Sequence, residues 1–388
     1  MSKEFERFNE DFLSWQHTAR KFGVEDKASR IYYEENGVGE LSRYLMKVEN
    51  YEFIPGLLTH PDWHNFTGDM NSLITYSNEE LPEIHDNSIL TALRDQLEYQ
   101  QSLSTSPATV DNLLWNGEAY AVTDVNVNPA SLSVAETDYY SKISTTGRLY
   151  WELQQALYES DLNGKASPSE IRNWIRDTSL PYRDSHAPTG NSLLKSRKPV
   201  RPSLGISCIP IVNDNGTYKI ILLRRSQKVS VRPDVYAGVG GGIEPSLGTP
   251  KQQLVREIVE EMRGAEEGTD PSTTTFGTKL LNGMENNNGV EITYGGLVID
   301  TLRTKYHIRA YCLITDPDIG NELLNNSSLN FESTEMKTIP VNSPNELLNI
   351  LQNEEVATTD FLSLIGGLEW VRESHGIETM ETQVELID

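Results

Sequence analysis

The alternation of apolar and polar positions changes character midway along the chain. In the first half, apolar residues recur at three-and-four spacing over Glu4 to Phe22, Ser88 to Ser102, Leu149 to Ser160 and Ser167 to Asp177, which predicts amphipathic helices. One stretch, Ala119 to Val127, reads instead as a strand. In the second half strands take over. Gly205 to Val212 and Tyr218 to Leu223 flank Asn213-Asp214-Asn215-Gly216, whose Asn-Gly pair predicts a hairpin. Further strands are expected over Gly289 to Asp300, Thr304 to Thr315 and around Met336 to Val341, with helices near Pro344 to Gln352 and Thr359 to Arg372.

Between the halves, Pro181 to Pro202 is polar, punctuated by Pro and Gly, and without periodicity. The expected organisation is an N-terminal domain over 1–184, mostly helical with some strand, a linker over 185–200, and a C-terminal domain over 201–388. Strands interrupted by a few helices make the latter an α/β (α+β) sandwich. The five N-terminal tryptophans, Trp15, Trp63, Trp115, Trp151 and Trp174, read as core packing, and no chemistry is assignable to that half.

One helix stands out. Gly240-Gly241-Gly242-Ile243-Glu244-Pro245 precedes a segment in which Thr249 can cap, Pro250 suits the first turn, Gln252 completes a capping box and Gly264 supplies a stop. At about 100° per residue, Leu254, Val255, Ile258, Val259 and Met262 share one face and are expected against a sheet. Glu257, Glu260 and Glu261 share the other, at i, i+3 and i+4. Three converging carboxylates suit Mg2+, a hard cation that wants oxygen ligands. The alternative is a solvated acidic face on an ordinary amphipathic helix, and the string alone does not separate the two.

Composition narrows the partners. The 388 residues carry 57 acidic and 33 basic side chains, a net charge of −24. Such a surface repels nucleic-acid phosphates and anionic membranes, so neither is expected as a partner. It also suits a salty cytoplasm, where screening relieves self-repulsion. There is no apolar run of membrane-spanning length and the first residues are charged, so a soluble, cytoplasmic protein is expected. Cys208 and Cys312 sit in apolar runs and read as core residues. No P-loop, no Gly-x-Ser-x-Gly elbow, no His-Glu-x-x-His and no Cys-x-x-Cys occurs.

In this setting the glycines and the acidic helix resemble the Nudix hydrolase box: a Gly, five residues, a Glu, seven residues, then Arg-Glu-apolar-x-Glu-Glu-x-Gly. Gly242, Arg256, Glu257, Ile258, Glu260 and Glu261 fit at the proper spacing, and the strand Ile220 to Leu223 running into Arg224-Arg225 is similar to the family's approach to its box. The resemblance spans about Arg201 to Arg372. It implies an α/β/α sandwich around a mixed sheet, and hydrolysis of a pyrophosphate bond in a nucleoside diphosphate linked to another group. It further implies Mg2+ or Mn2+ on Glu257, Glu260 and Glu261, with Arg256 orienting Glu257. Two departures stand. The box Glu is replaced by Gly248, and Arg263 occupies the place of the closing glycine, one residue before Gly264. These keep open a catalytically weak or inactive nucleotide or nucleotide-sugar sensor.

A carboxylate from a later loop often joins such boxes, which makes Glu335 the candidate, with Glu332 and Glu291 behind it. Arg303, Lys305, His307 and Arg309 alternate with apolar or neutral residues and are expected on one strand face, toward an anionic substrate or toward neighbouring acids. Arg224 and Arg225 are further candidates for phosphate binding, beside the backbone of Gly241 and Gly242. The expected partner is thus a nucleotide-type small molecule. The N-terminal half is left to shape the pocket or to mediate assembly, for instance as a homodimer.

Overall fold

The structure is a computed structural model that describes residues 24–37, 41–48, 51–53, 56–77, 80–84, 91, 116–186, 200–226 and 234–387, apart from short gaps at 247, 267, 326–327, 331 and 353–355. The helices expected over Glu4 to Phe22 and Ser88 to Ser102, and most of the linker, lie outside the described residues.

The N-terminal half supplies helices α1 (Val24–Glu35), α2 (Arg148–Tyr158), α3 (Pro168–Asp177) and α4 (Pro181–His186), and strands β1 (Ser42–Val48), β2 (Tyr51–Phe53), β3 (Leu57–Thr59), β4 (Ile74–Tyr76), β5 (Glu118–Asn126) and β6 (Ser131–Asp138). Helices α2 and α3 and strand β5 fall where periodicity places them. Strand content exceeds the expectation because three-residue strands carry no readable alternation. The C-terminal half supplies β7 (Leu204–Asp214), β8 (Thr217–Arg225), β9 (Tyr236–Ala237), β10 (Val239–Gly242), helix α5 (Pro250–Arg263), α6 (Thr275–Glu285), β11 (Val290–Asp300), β12 (Lys305–Ile314), α7 (Pro317–Asn325), β13 (Ser333–Pro340), α8 (Pro344–Gln352), α9 (Thr358–His375) and β14 (Thr382–Ile387).

The predicted hairpin forms. Asp214 faces Thr217, and Asn215 and Gly216 take φ of 51° and 95°, the doubly left-handed turn that matches strand twist. Strand β7 also pairs in parallel with β12, which is antiparallel to β11, so the sheet is mixed. Its main path runs β13-β8-β7-β12-β11-β3-β1-β14. Leu58 of β3 faces Ile299, and Val48 of β1 faces Thr382, so strands from both halves share one sheet. The second, three-stranded sheet is β4-β6-β5.

Both faces of the large sheet are covered, which is why Ile206 to Val212 reads as a continuous apolar run rather than an alternating one. One face packs Ile206, Cys208, Tyr306 and Ile308 against Leu254, Val255, Ile258, Val259 and Met262 of α5 and against α6, α7 and the N-terminal helices. The other packs Ile209, Ile211, Leu222 and Val298 against α8 and α9. The result is a layered α/β sandwich of the expected class. Among the described residues, no helix is long and apolar enough to cross a membrane.

Two fully buried arginines lace the halves together. Arg183 of α4 donates to the carbonyls of Thr301 at 2.9 Å, Leu302 at 2.5 Å and Leu149 at 2.9 Å. It thereby fixes the β11–β12 turn to the N-terminal helices. Arg309 of β12 donates to Gly295 O at 2.5 Å, to the Tyr44 hydroxyl at 2.9 Å and to Leu362 O at 3.3 Å.

Candidate functional site

Helix α5 begins and ends as its sequence dictates. Thr249 and Gln252 form the capping box, Pro250 opens the first turn, and Gly264 closes the helix at φ 64°. The capping relationship leaves Gln253 free to turn inward. Its side chain accepts from Glu244 N at 2.8 Å and donates to Glu244 O at 3.2 Å and Gly248 O at 3.0 Å, pinning the loop between the glycine strand and the helix. Nothing in the motif singled out Gln253; its position one turn ahead of Glu257 was the available signal.

The acidic face is not solvated. Glu257, Glu260 and Glu261 are 7%, 4% and 4% exposed, and Arg256 among them 3%. The glycine strand causes this. A Cβ on Gly241 would collide with the Glu257 carboxylate, and Glu261 is hydrogen-bonded by the backbone of Gly240, so β10 lies directly on the carboxylates. Burying acids costs free energy unless they are paired. Arg256 supplies part of the pairing. It donates to Glu257 at 2.7 Å and stands 3.7 Å from Glu244 and 3.8 Å from Glu260.

The pairing is incomplete. Burial pushes Glu257 above the usual carboxylate range, Arg256 pulls it back, and the charges of Glu260 and Glu332 push it up again. Burial pushes Glu261 well above that range, reinforced by Glu332 and Glu257 and opposed by Arg225. Glu260 is spoken for differently: the backbone N–H groups of Gly268 and Thr269 donate to it at 2.6 and 3.1 Å. It therefore ties the loop after α5 to the helix while Glu257 and Glu261 face β10. Among the described residues, no group of three or more His, Cys, Asp or Glu side chains is already closed around a point as a metal cage. The donor chemistry nonetheless fits a hard divalent cation. Glu257 and Glu261 are oxygen donors whose crowded negative charge, with that of Glu332, a bound cation would relieve as protonation does without it.

The remaining expected residues divide. Glu332, the weaker candidate in sequence, is the later-loop acid whose charge acts on Glu257 and Glu261. Glu335 is half-exposed and accepts from the Tyr236 hydroxyl at 3.1 Å, with Arg224 at 4.0 Å. Arg224 lies over the Tyr236 ring. Arg225 reaches toward Glu261, where it opposes the upward shift. Gly241 and Gly242 both lie on β10, Gly241 against Glu257 and Gly242 on the side of Lys142.

The four basic residues expected on one strand face are not equivalent. Arg303 stands in the turn before β12, paired with Asp300 at 3.3 Å, because Thr304 takes φ 52° and the strand starts only at Lys305. His307 is buried and shares a 2.7 Å hydrogen bond with Ser207. Burial, then the charges of Lys305, Arg303 and Arg309, hold it well below its ordinary range and so neutral. Arg309 is in the core, its two terminal nitrogens donating to carbonyls and to Tyr44. Cys208 and Cys312 are free and buried, as their apolar surroundings imply.

The chain is thus a mixed α/β sandwich with a buried acidic site where one helix meets a glycine strand. No family model matches it, and no curated protein does. Solved structures do resemble part of it. About 44% of the chain is similar to the NUDIX domain of Shewanella oneidensis NrtR complexed with ADP ribose, at 13% identity over 88% of that chain and a TM-score of 0.30. The same share is similar to a C. elegans Ap4A hydrolase binary complex, at 13% identity over 98% of that chain and a TM-score of 0.26. A mutT/nudix family protein from Listeria innocua shows 14% identity over 46% of this chain and 99% of that one, at a TM-score of 0.28. The first and third of these carry the Nudix name, that of the family whose box the sequence resembles.

Proposed function

We propose that the chain is a Nudix-type pyrophosphohydrolase, acting with Mg2+ or Mn2+ on a nucleoside diphosphate linked to another moiety. The observation that carries this reading is the burial of Glu257 and Glu261 together against Gly240 and Gly241, where Arg256, Arg225 and the Gly240 backbone offset their charge only in part. A solvated acidic face has no reason to be folded under a glycine strand at that electrostatic cost. Glu257 and Glu261 would hold the ion, with Glu260 and Glu332 beside them. When bound, it neutralises pyrophosphate charge and makes an attached water acidic enough to attack at neutral pH. Arg256 keeps Glu257 in one orientation through its 2.7 Å bond. Glu332, partly buried and acting by its charge on both acids, would take the proton of the attacking water.

The test is turnover of a panel of ADP-ribose, NAD, UDP-sugars, dinucleoside polyphosphates and nucleoside triphosphates, with Mg2+ or Mn2+. Release of the two phosphate-bearing halves of one member supports the reading. A second reading, a nucleotide sensor that binds without cutting, is favoured by Gly248. It stands where the box has Glu, at φ 83° in a loop that a side chain would strain. If no member turns over but one raises the melting temperature, the sensor reading holds.

A further inference from the structure

The two faces of the glycine strand carry opposite charge. Gly241 faces the carboxylates, while Gly242 faces the other way. A Cβ on Gly242 would stand 3.6 Å from the ammonium of Lys142, in the short helix Tyr139–Lys142 of the N-terminal half. Gly242 is directly paired with Gly205 of β7, and a Cβ there would stand 2.7 Å from the ammonium of Lys305. Paired residues of adjacent antiparallel strands project to the same face about 5 Å apart. Two lysines from distant parts of the chain therefore sit above neighbouring glycines, in space that any larger residue would fill.

Arg303 joins them. Its Nη2 pairs with Asp300 at 3.3 Å, and its Nε is buried without a partner among the described residues. Neither lysine ammonium has a hydrogen bond or ion pair among the described residues, although both are partly buried. Lys142 lies only over the ring of Tyr139, 5.8 Å from its centroid. Burial and the like charge of Arg303 lower Lys142 to about 8 despite Glu244, and burial with Arg303, Lys142 and Arg225 lowers Lys305 to about 7 despite Asp300. In a chain of net charge −24 a surplus of cations at one spot is the reverse of the background. A multiply charged anion would relieve that repulsion and supply the missing acceptors.

We infer that Lys142, Lys305 and Arg303, above the glycine floor of Gly205 and Gly242, form a phosphate-binding subsite to which the N-terminal half contributes its own ligand. This rests on the reading of the carboxylate side as the hydrolytic centre only for what the phosphate belongs to, not for whether it binds. The subsite holds either an oxygen of the scissile pyrophosphate that wraps the edge of β10 or a further phosphate beyond it. In both cases residues before the linker are part of the substrate site.

The experiment uses the full-length chain with EDTA present and inorganic pyrophosphate as probe, by calorimetry. Lys142→Met and Lys305→Met are each expected to weaken binding about tenfold or more, and Lys142→Arg to retain most of it. Should Lys305→Met fail to fold, the Lys142 pair decides. Wild-type protein that does not bind pyrophosphate, or a Lys142→Met protein that binds it as well as wild type, would overturn the inference whether or not the chain is a hydrolase. With Mg2+ and a substrate that turns over, Lys142→Met should raise KM about tenfold or more. An equal effect on ADP-ribose and on a nucleoside triphosphate assigns the subsite to the scissile pyrophosphate, and an effect on the triphosphate alone to a further phosphate. Absence of all turnover refutes the hydrolase reading and leaves the binding result to judge the subsite.

Discussion

The Arg309 guanidinium donates to the Tyr44 hydroxyl at 2.9 Å, joining the C-terminal strand β12 to the N-terminal strand β1 through a buried cation. Arg309→Met would remove a donor from Gly295 O, Leu362 O and the Tyr44 hydroxyl, of which Gly295 O keeps the Tyr311 hydroxyl. Leaving a buried neutral acceptor unsatisfied costs about 1–3 kcal/mol. Urea unfolding should show that loss, with KM of the folded fraction unchanged. Unchanged stability with a raised KM would mean that Arg309 meets the substrate after all.

Tyr44 in turn lies 2.9 Å from Nδ1 of His64. Burial, and the charge of Arg309, lower His64 to about 4. His307 is held well below its ordinary range. Both groups are neutral when folded but take a proton near pH 6.5 when unfolded. Their contribution to stability is therefore present above about pH 6.5 and is lost as pH falls toward 4. A melting temperature that drops over that interval, and drops less in His64→Gln, is expected. A flat profile above pH 4 would contradict this account.

Glu261 has the opposite sign. Its folded pKa is raised, so the protonated form is the stable one, and stability is lost as pH rises from the carboxylate range through the raised value. In EDTA the protein should melt at lower temperature at pH 8.5 than at pH 6, and Glu261→Gln should reduce that difference. With Mg2+ the same variant should lose about 100-fold or more in turnover. Retained turnover would displace the metal from Glu261.

Gly241→Ala tests the contact between strand and helix. The added methyl meets the Glu257 carboxyl group, with its carbon 2.7 Å away, so either β10 or Glu257 must move. Overpacking of this kind costs about 1–3 kcal/mol, and displacement of Glu257 should also lower metal affinity, measured by Mn2+ titration. Normal stability with normal Mn2+ affinity would show that the strand does not press on the acid.

Helix α5 was fully legible, because caps, the apolar stripe and the glycine stop are local properties of consecutive residues. So were the Asn-Gly hairpin and the paired long strands. What consecutive residues cannot specify is which face of a helix another segment will cover. The periodicity of α5 put three glutamates opposite the core, and only the packing of β10 on Glu257 and Glu261, and of the loop after the helix on Glu260, made their charge consequential. The same holds for Arg309, whose alternation with Ile308 and Ala310 set its side of the strand but not that α9 and Tyr44 would enclose it. Strands β1 and β3 were missed because three to seven residues carry too little pattern, and their place in the sheet depends on partners such as Ile299 and Thr382, more than two hundred residues away. Lys142 belongs to no motif and lies about a hundred residues ahead of Gly242, and it gains meaning only because the fold brings the two together. Local chemistry wrote the helix and its acids into the sequence; long-range pairing decided which charges are buried, which are matched and which are left for a ligand.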